Sequence, residues 1–363
     1  MTETAAEKEE LLPDITSFIE KVEASQIPTD LKEEIKSSLV RLNRSMKFGS
    51  FEVDYERITR YTDWILSLPW NKRSQDNLDL TKAREIMDKN HYGLNDIKER
   101  LIEYLATLKF QADKEGHEVV KTTRASVICF VGLPGSGKTS LGASIAESFG
   151  RSFIRIPMGG MSSSLQLRGV PKTQPEGEPG LIIKSLRRAG TKNPVILLDE
   201  IDSTAEGAES DLMGVLLEIL DPEQNFAFTD YFIDYPFDLS EVFFICSANK
   251  LGNITSAVMD RLEVIFMPRY TDDDKIHIAR DYIFPRELVN IGLDPKSVQF
   301  DEEVWKKVIK PFGYEVDIRN LDRTVNGILR KVTRRIIEGT PQPVKIDLTN
   351  LEQLPVPLWT DLK

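Results

Sequence analysis

The 363-residue chain carries 47 Lys and Arg against 58 Asp and Glu, a net charge of −11. An acidic surface repels phosphate backbones unless basic residues are focused locally, so a nucleic-acid partner is disfavoured. No apolar run approaches the roughly 18 residues of a membrane span, and the acidic opening MTETAAEKEE has neither an apolar core nor an Arg-rich pattern, so no membrane partner, secretory signal or transit peptide is expected.

In chain order, residues 9–70 read as helical. Apolar residues recur at helical spacing through Leu11, Ile15, Phe18, Ile19 and Val22, then through Ile35, Leu39 and Leu42. Pro28-Thr29-Asp30 supplies a break and an N-cap, and Lys47-Phe48-Gly49-Ser50 a turn before a third helix over 55–68. The three helices are expected to pack as a bundle with no chemistry of its own. A short helix over 80–87, a turn at 91–94 and an amphipathic helix over 95–110 come next. Apolar strands then appear at 126–131, 153–156, 195–198, 242–246 and 264–266, with helices between most of them, as a buried parallel sheet requires. Beyond Pro268 the chain turns helical again, over 272–284, 301–309 and 318–337, and finishes in an extended, proline-rich tail containing Pro341, Pro343, Pro355 and Pro357. Cys129 and Cys246 sit inside apolar runs and read as buried reduced thiols, while His91, His117 and His277 are scattered and form no zinc-type cluster. A reducing, intracellular and cytoplasmic setting is expected.

Chemistry is concentrated at Gly132-Leu133-Pro134-Gly135-Ser136-Gly137-Lys138-Thr139, which matches G-x-x-x-x-G-K-[ST] without deviation. A strand precedes it and a helix follows. Glycines let backbone N–H groups turn inward around phosphates, and the helix N-terminus adds partial positive charge there. Lys138 would reach the terminal phosphates of ATP, and the Thr139 hydroxyl would ligate Mg²⁺. The apolar run 195–198 ends in Asp199 and Glu200, the first suited to the Mg²⁺ shell and the second to polarising the attacking water. Acidic residues after a strand often serve only loop solubility; the phosphate loop selects the catalytic reading. Asn249 follows the strand 242–246 and is placed to hydrogen-bond the water or γ-phosphate, because ligands of such sheets lie outside the carboxyl ends of the strands.

Taken together these residues resemble AAA+ ATPases, and the details resemble the Lon family. Leu68-Pro69-Trp70, Asn77-Leu78-Asp79-Leu80 and His91-Tyr92-Gly93-Leu94 carry the likeness ahead of the phosphate loop. Leu197 to Asp202, Leu220-Asp221-Pro222-Glu223-Gln224-Asn225 and Asp260 to Ile265 carry it afterwards. The resemblance implies an α/β fold with an AAA+ P-loop NTPase parallel sheet, flanked by an N-terminal helical bundle and a C-terminal small helical domain. The corresponding divisions are 8–75 for the bundle, 76–268 for the nucleotide-binding domain, 269–345 for the small helical lid and 346–363 for the tail. It also implies that His91, Tyr92, Gly93 and Leu94 line the adenine pocket, that Arg261 reaches a neighbouring subunit's γ-phosphate and that Arg319 is the sensor arginine. The resemblance implies a homo-oligomeric, hexameric ring as well, in which an arginine supplied in trans would make hydrolysis depend on assembly. Read without the family, Arg261 would be a surface ion pair with Asp260 and Arg319 a solvated helix charge.

Three departures stand out. The family's peptidase domain and its large N-terminal substrate-binding region are not found in this sequence, so no proteolysis is assigned to it, whether it is part of a Lon or works with a separate peptidase. Lon-like sequences place an aromatic–aliphatic pair on the loop that grips substrate in the pore; between Arg168-Gly169 and Pro179-Gly180 this chain has Gln174-Pro175, flanked by Glu176 and Glu178. A flat apolar side chain grips polypeptide through dispersion, and Gln and Pro grip it poorly. Asp317 stands where the family has glycine beside Arg319. Three functions are therefore expected to compete: an ATP-driven unfoldase acting on a protein substrate, an ATP-switched assembly protein that pulls weakly or selectively on a partner, and a nucleic-acid remodeller. The last is kept alive by the basic stretch 184–188 and by Arg330, Lys331, Arg334 and Arg335.

Overall fold

The computed structural model describes residues 13–46, 52–77, 79–115, 127–309 and 317–351. Leu11, Leu78, His117, Ser126, Pro355, Pro357 and the expected turn at 47–50 lie outside these residues. The strands, in chain order, are β1 Val127–Val131, β2 Phe153–Pro157, β3 Val195–Asp199, β4 Phe228–Thr229, β5 Pro236–Phe237, β6 Phe243–Ala248, β7 Leu262–Phe266, β8 Val298–Phe300 and β9 Val344–Ile346. Five of them form one parallel sheet in the order β2-β3-β6-β1-β7, as the alternating pattern predicts. Its inner strands β3 and β6 are buried along their whole length. That is why they read as unbroken apolar runs rather than alternating ones. Because β1 is flanked by β6 and β7 while β2 lies at the far edge, the chain reverses direction in the sheet after β1, and a crevice opens at the carboxyl ends of the strands.

Helices Leu80–Asn90, Asn95–Glu115 and Lys138–Phe149 cover one face of the sheet. The other face merges with the N-terminal helices Pro13–Ala24, Thr29–Met46 and Glu52–Ser67. Ile15, Leu31, Leu39 and Ile65 belong to the same apolar cluster as Leu198, Phe228 and Phe237. Trp70 packs its ring 5.0 Å from Phe237 and 5.8 Å from Tyr235. The segment joining the helices to the sheet is anchored by charge: Arg151 and Asp76 pair at 2.5 Å with both side chains 1% exposed, and Arg73 and Lys192 meet Glu241 at 2.5 and 3.3 Å. The three N-terminal helices pack on one another, and their apolar side chains run on into the cluster of the α/β domain.

The small helical domain has a separate core around Trp305, Leu321, Ile328 and Leu329. Its first helix was expected to stop at 284, ahead of Pro285. Instead Asp272–His277 continues through a π-helical stretch, Ile278–Ile283, into Phe284–Ile291. Pro285 stands in the first turn of that last stretch, where its missing N–H is tolerated and the widened turn before it relieves the clash with the carbonyl four residues back. Nor is the tail merely extended: β9 pairs in parallel with β8. Cys129 and Cys246 are buried free thiols in register on β1 and β6, and burial pushes the Cys129 thiol up to about 12. Among the described residues no helix is long and apolar enough to cross a membrane.

Candidate active site

At the carboxyl edge of the sheet, β1 runs into the phosphate loop and then the helix Lys138–Phe149. Gly137 takes a left-handed conformation, φ 95°, at the N-cap. Among the described residues nothing accepts from the backbone N–H groups of Gly137, Lys138 or Thr139. Such orphan donors at a helix N-terminus suit an anion. The Lys138 ammonium is folded back, donating to the carbonyls of Gly132 at 2.6 Å and Leu133 at 3.1 Å and to Asn249 Oδ1 at 3.0 Å. Burial, and to a lesser degree the nearby Arg319 guanidinium, lower its pKa against the pull of Asp199. The contact with Asn249 brings the residues after β1 and β6 together, as their positions after adjacent strands require.

Asp199, at the end of β3, is 3% exposed. Its Oδ2 accepts from Thr139 Oγ1 at 3.4 Å and from Arg155 Nε at 2.6 Å, and its Oδ1 accepts from the Ser247 hydroxyl. Ser247 Oγ also receives the Glu200 N–H at 3.0 Å. One hydroxyl thus orients both acids. Glu200 sits at φ 61°, a conformation rare for a residue with a side chain. Its carboxylate lies over Gly159, where a Cβ would come within 2.7 Å of Oε2, so only glycine fits there without moving the acid. Asp202, one turn further, accepts from the N–H groups of Asn249 and Lys250, each at 3.0 Å, and thereby fixes the loop that presents Asn249. Arg155, Ser247 and Gly159 carry no local motif, and their roles, like the bracing role of Asp202, come only from segments distant in sequence meeting at the sheet.

Across the cleft stands the helix Ile318–Ile337. Asp317 is its N-cap, accepting from the Asn320 N–H at 2.7 Å, which is stronger capping chemistry than the glycine of the family pattern. Arg319, in the first turn, lies against the phosphate loop, with its Cγ 3.5 Å from the position of a Cβ on Gly135. A cavity of about 230 Å³ is lined by Lys138, Thr139, Asp199, Glu200, Asn249 and Arg319 together. Ser136 Oγ is buried and has no hydrogen-bond partner. Pro134 and Gly135 line this cavity and a second one beside it.

Arg261 is elsewhere. It immediately precedes β7, and Leu262 pairs with Val127 at the start of β1. Five residues of β1 at about 3.3 Å each separate it from the phosphate loop, roughly 16 Å. Its partner is not the adjacent Asp260 but Asp221, whose Oδ2 it meets at 3.1 Å while the Arg261 side chain stays 41% exposed. Asp221 also accepts from the Glu223 N–H and the Gln224 side chain; with the Glu223 bond first and Arg261 contributing, its carboxyl is held below the usual range. The Asp-Pro-Glu-Gln-Asn turn therefore serves as a bracket for Arg261.

His91 to Leu94 do not line either cavity beside the phosphate loop. His91 is buried against Ser144, 2.9 Å from its hydroxyl, and burial followed by the charge of Lys98 lowers its pKa to about 4. Tyr92 stacks on His277 of the small helical domain, centroids 4.9 Å apart and 11° between planes. Gly93 and Leu94 both take positive φ, 63° and 55°, before the next helix starts.

The loop at 168–180 is tied down at its base. Asp230, fully buried, accepts from the N–H groups of Gly180 at 2.7 Å, Phe232 at 2.8 Å and Ile233 at 3.0 Å. Burial outweighs those bonds and raises its pKa to about 6. Val170 bridges Glu178, and a Cβ on Gly180 would fall 2.0 Å from the Leu167 carbonyl oxygen, so the two arms of the loop are in contact. Lys172 reaches Asp234 at 3.3 Å and Glu34 at 3.6 Å, and lies 4.6 Å from the Tyr61 ring centroid, fastening the loop to the N-terminal helices. Gln174, Pro175 and Glu176 are exposed at its tip. In the basic stretch that follows, Lys184 pairs with Glu178 at 2.9 Å and Arg187 with Asp63 at 2.8 Å, which leaves less free charge for a nucleic acid than the stretch suggests.

Residues 128–270 match the model of the ATPase family associated with various cellular activities (AAA), and residues 289–344 match the Lon protease AAA+ ATPase lid domain. Among curated proteins the chain is 40% identical to a Lon protease of Roseiflexus castenholzii over 94% of its own length and 42% of the relative's. It is 40% identical to Lon protease 2 of Thermus thermophilus over 93% and 42%, and 40% identical to a Lon protease of Lawsonia intracellularis over 98% and 41%. The chain thus spans about two-fifths of the length of these relatives.

Proposed function

Because this chain is a Lon-family AAA+ module, we propose that it hydrolyses Mg²⁺-ATP as a closed ring of identical subunits and couples the cycle to the handling of polypeptide. The observation that carries this reading is the convergence of Lys138, Asp199, Glu200, Asn249 and Arg319 on one cleft, while Arg261 stands at the other edge of the same sheet. The free amides at the start of the helix Lys138–Phe149 would hold the phosphates, with Lys138 released from its carbonyl contacts to pair with them. Thr139 and Asp199 would hold the divalent ion. Among the described residues no three His, Cys, Asp or Glu side chains form a metal group, and an ion carried largely by the nucleotide's own phosphates needs none. When bound, that ion neutralises charge on the β- and γ-phosphates. Glu200, fixed by Ser247 and seated on Gly159, would accept hydrogen bonding from the attacking water; the Asn249 amide would orient that water, and Arg319 would offset charge on the γ-phosphoryl oxygens as its bond to ADP breaks.

Arg261 supports a ring. It is too far from its own cleft to act there, exposed, and braced by Asp221 rather than consumed by it. A guanidinium so placed suits the cleft of a neighbouring copy. The direct test separates binding from turnover: Lys138→Ala should abolish nucleotide binding, whereas Glu200→Gln should bind ATP and fail to hydrolyse it. Equal ATPase rates for Glu200→Gln and wild type would defeat the mechanism.

One observation favours a second reading of the output. The 168–180 loop is pinned at its base by Asp230 and along its arm by Lys172, and offers Gln174-Pro175 at its tip. That supports a ring whose ATP cycle drives assembly or selective engagement of a partner more than general pulling. Casein added to the ATPase assay distinguishes the two: stimulation supports general unfolding, and indifference supports a dedicated partner, with a separate peptidase as one such partner.

A further inference from the structure

Asp199 has a cationic partner that the proposed hydrolysis does not use. Arg155 lies on β2, at the edge of the sheet, two residues before Pro157, which pairs with Asp199. Its Nε donates to Asp199 Oδ2 at 2.6 Å, the same oxygen that receives Thr139 Oγ1 at 3.4 Å, while Oδ1 accepts from the Ser247 hydroxyl. The Asp199 side chain is 4% exposed and that of Arg155 48%, so a buried acid is joined to a guanidinium whose outer part reaches solvent. No second acceptor holds Arg155 among the described residues. A charge on an edge strand often serves only to discourage pairing with another sheet, but a charge of that kind faces water and not a buried carboxylate.

Two cations are thereby directed at one oxygen. Under the ATPase reading above, on which this inference rests, Thr139 and Asp199 hold the divalent ion of the nucleotide, and the oxygen between them is the one that Arg155 neutralises. A guanidinium and a divalent ion sharing one carboxylate oxygen repel each other. Orientation of the acid does not need Arg155, because Ser247 joins Asp199 Oδ1 to the Glu200 N–H from the other side. We infer that Arg155 is a positioning residue that exchanges Asp199 with the ion: it neutralises the buried carboxylate while the polyanionic nucleotide enters, and yields Oδ2 as the ion is taken up. Its charge favours the ion-free nucleotide and opposes the ion, and so sets how much divalent ion the site demands. The half-exposed side chain can swing outward to solvent when it lets go.

The test is calorimetric titration of the full chain with ADP, which is not hydrolysed, first in EDTA and then with Mg²⁺ added to the ADP-loaded protein. Arg155→Gln keeps a donor and removes the charge; it should weaken ion-free ADP and tighten Mg²⁺, each about three- to tenfold, between the scale of an exposed ion pair and that of a buried bond to a charged group. Arg155→Met should move both constants in the same directions, so the inference is tested even if the first variant fails to fold. Arg155→Lys, which keeps the charge, should stay close to wild type. A merely structural role would weaken ADP and Mg²⁺ together, and that result would overturn the inference, as would no change in either or a Lys variant that behaves like the Gln variant. Failure of wild type to bind ADP at all would instead defeat the ATPase reading itself.

Discussion

The phosphate loop and the 168–180 loop both leave the carboxyl edge of one parallel sheet, after β1 and after β2, yet they are held in opposite ways. Around the phosphate loop the bonds run between functional groups: Lys138 to Asn249, Ser247 to Asp199 and Glu200, Thr139 and Arg155 to Asp199. Under the proposed function, the Lys138 and Thr139 bonds would be exchanged for bonds to the nucleotide and its ion, while Ser247 keeps the acids in place. At the 168–180 loop backbone amides donate to a buried carboxylate and Lys172 ties the loop to its surroundings, and the tip offers no aromatic or long aliphatic side chain. One region is organised to change partners during a cycle, and the other to keep its shape. Under the proposed function, nucleotide chemistry and polypeptide engagement would be separable, because only the first depends on residues meeting across the sheet.

The largest expected effect lies on the first side. Glu200→Gln should lower kcat about 10²- to 10⁴-fold with nucleotide affinity kept, measured by steady-state ATPase and equilibrium binding. Next comes a pH contrast between the regions. His91 has its folded pKa lowered to about 4 from 6.5 by burial, so its contribution is present above 6.5 and lost as pH falls towards 4. Asp230 has its folded pKa raised to about 6 from 3.8, so its contribution is present below 3.8 and lost as pH rises through 6. Each is worth on the order of 3 kcal/mol at most. In urea titrations between pH 4 and 7, His91→Gln should lose less stability on acidification than wild type, and Asp230→Asn should lose more. The same pH profile for both variants and wild type would erase the contrast.

A smaller effect is expected at Gly159. Gly159→Ala should displace the Glu200 carboxylate and lower kcat about tenfold while ATP affinity is retained, since overpacking of this kind costs about 1–3 kcal/mol. Smallest is the response of the other loop. Gln174→Tyr should raise casein stimulation of the ATPase by no more than about twofold, the scale of a modest added apolar contact, because Asp230 and Lys172 still hold the loop. A large gain would show that the tip residues alone limit grip.

Much of the first region was legible before the structure. The phosphate loop and the Asp199-Glu200 pair are each a short contiguous motif, following strands whose apolar runs announce burial on both faces. Arg155, Ser247, Asp202 and Asp230 were not legible, because each acts through a partner at least 44 residues away or through backbone amides that no side-chain pattern encodes. The spacing of the N-terminal helices marks a buried face without saying what covers it; in the structure they pack on one another, and their cluster continues into that of the α/β domain. The helix expected over 272–284 runs on to Ile291 because a π-helical stretch, which no α-helical spacing signals, carries the chain past Pro285.

The claim on which the account turns is that Arg261 completes a neighbour's cleft. Arg261→Ala and Glu200→Gln should each be inactive alone. Mixed in equal amounts and allowed to exchange subunits, they should regain ATPase activity, because an intact Glu200 cleft in the first variant would receive Arg261 from the second. If both variants are inactive alone and the exchanged mixture stays inactive, Arg261 does not act across the subunit boundary and the trans-acting ring is wrong.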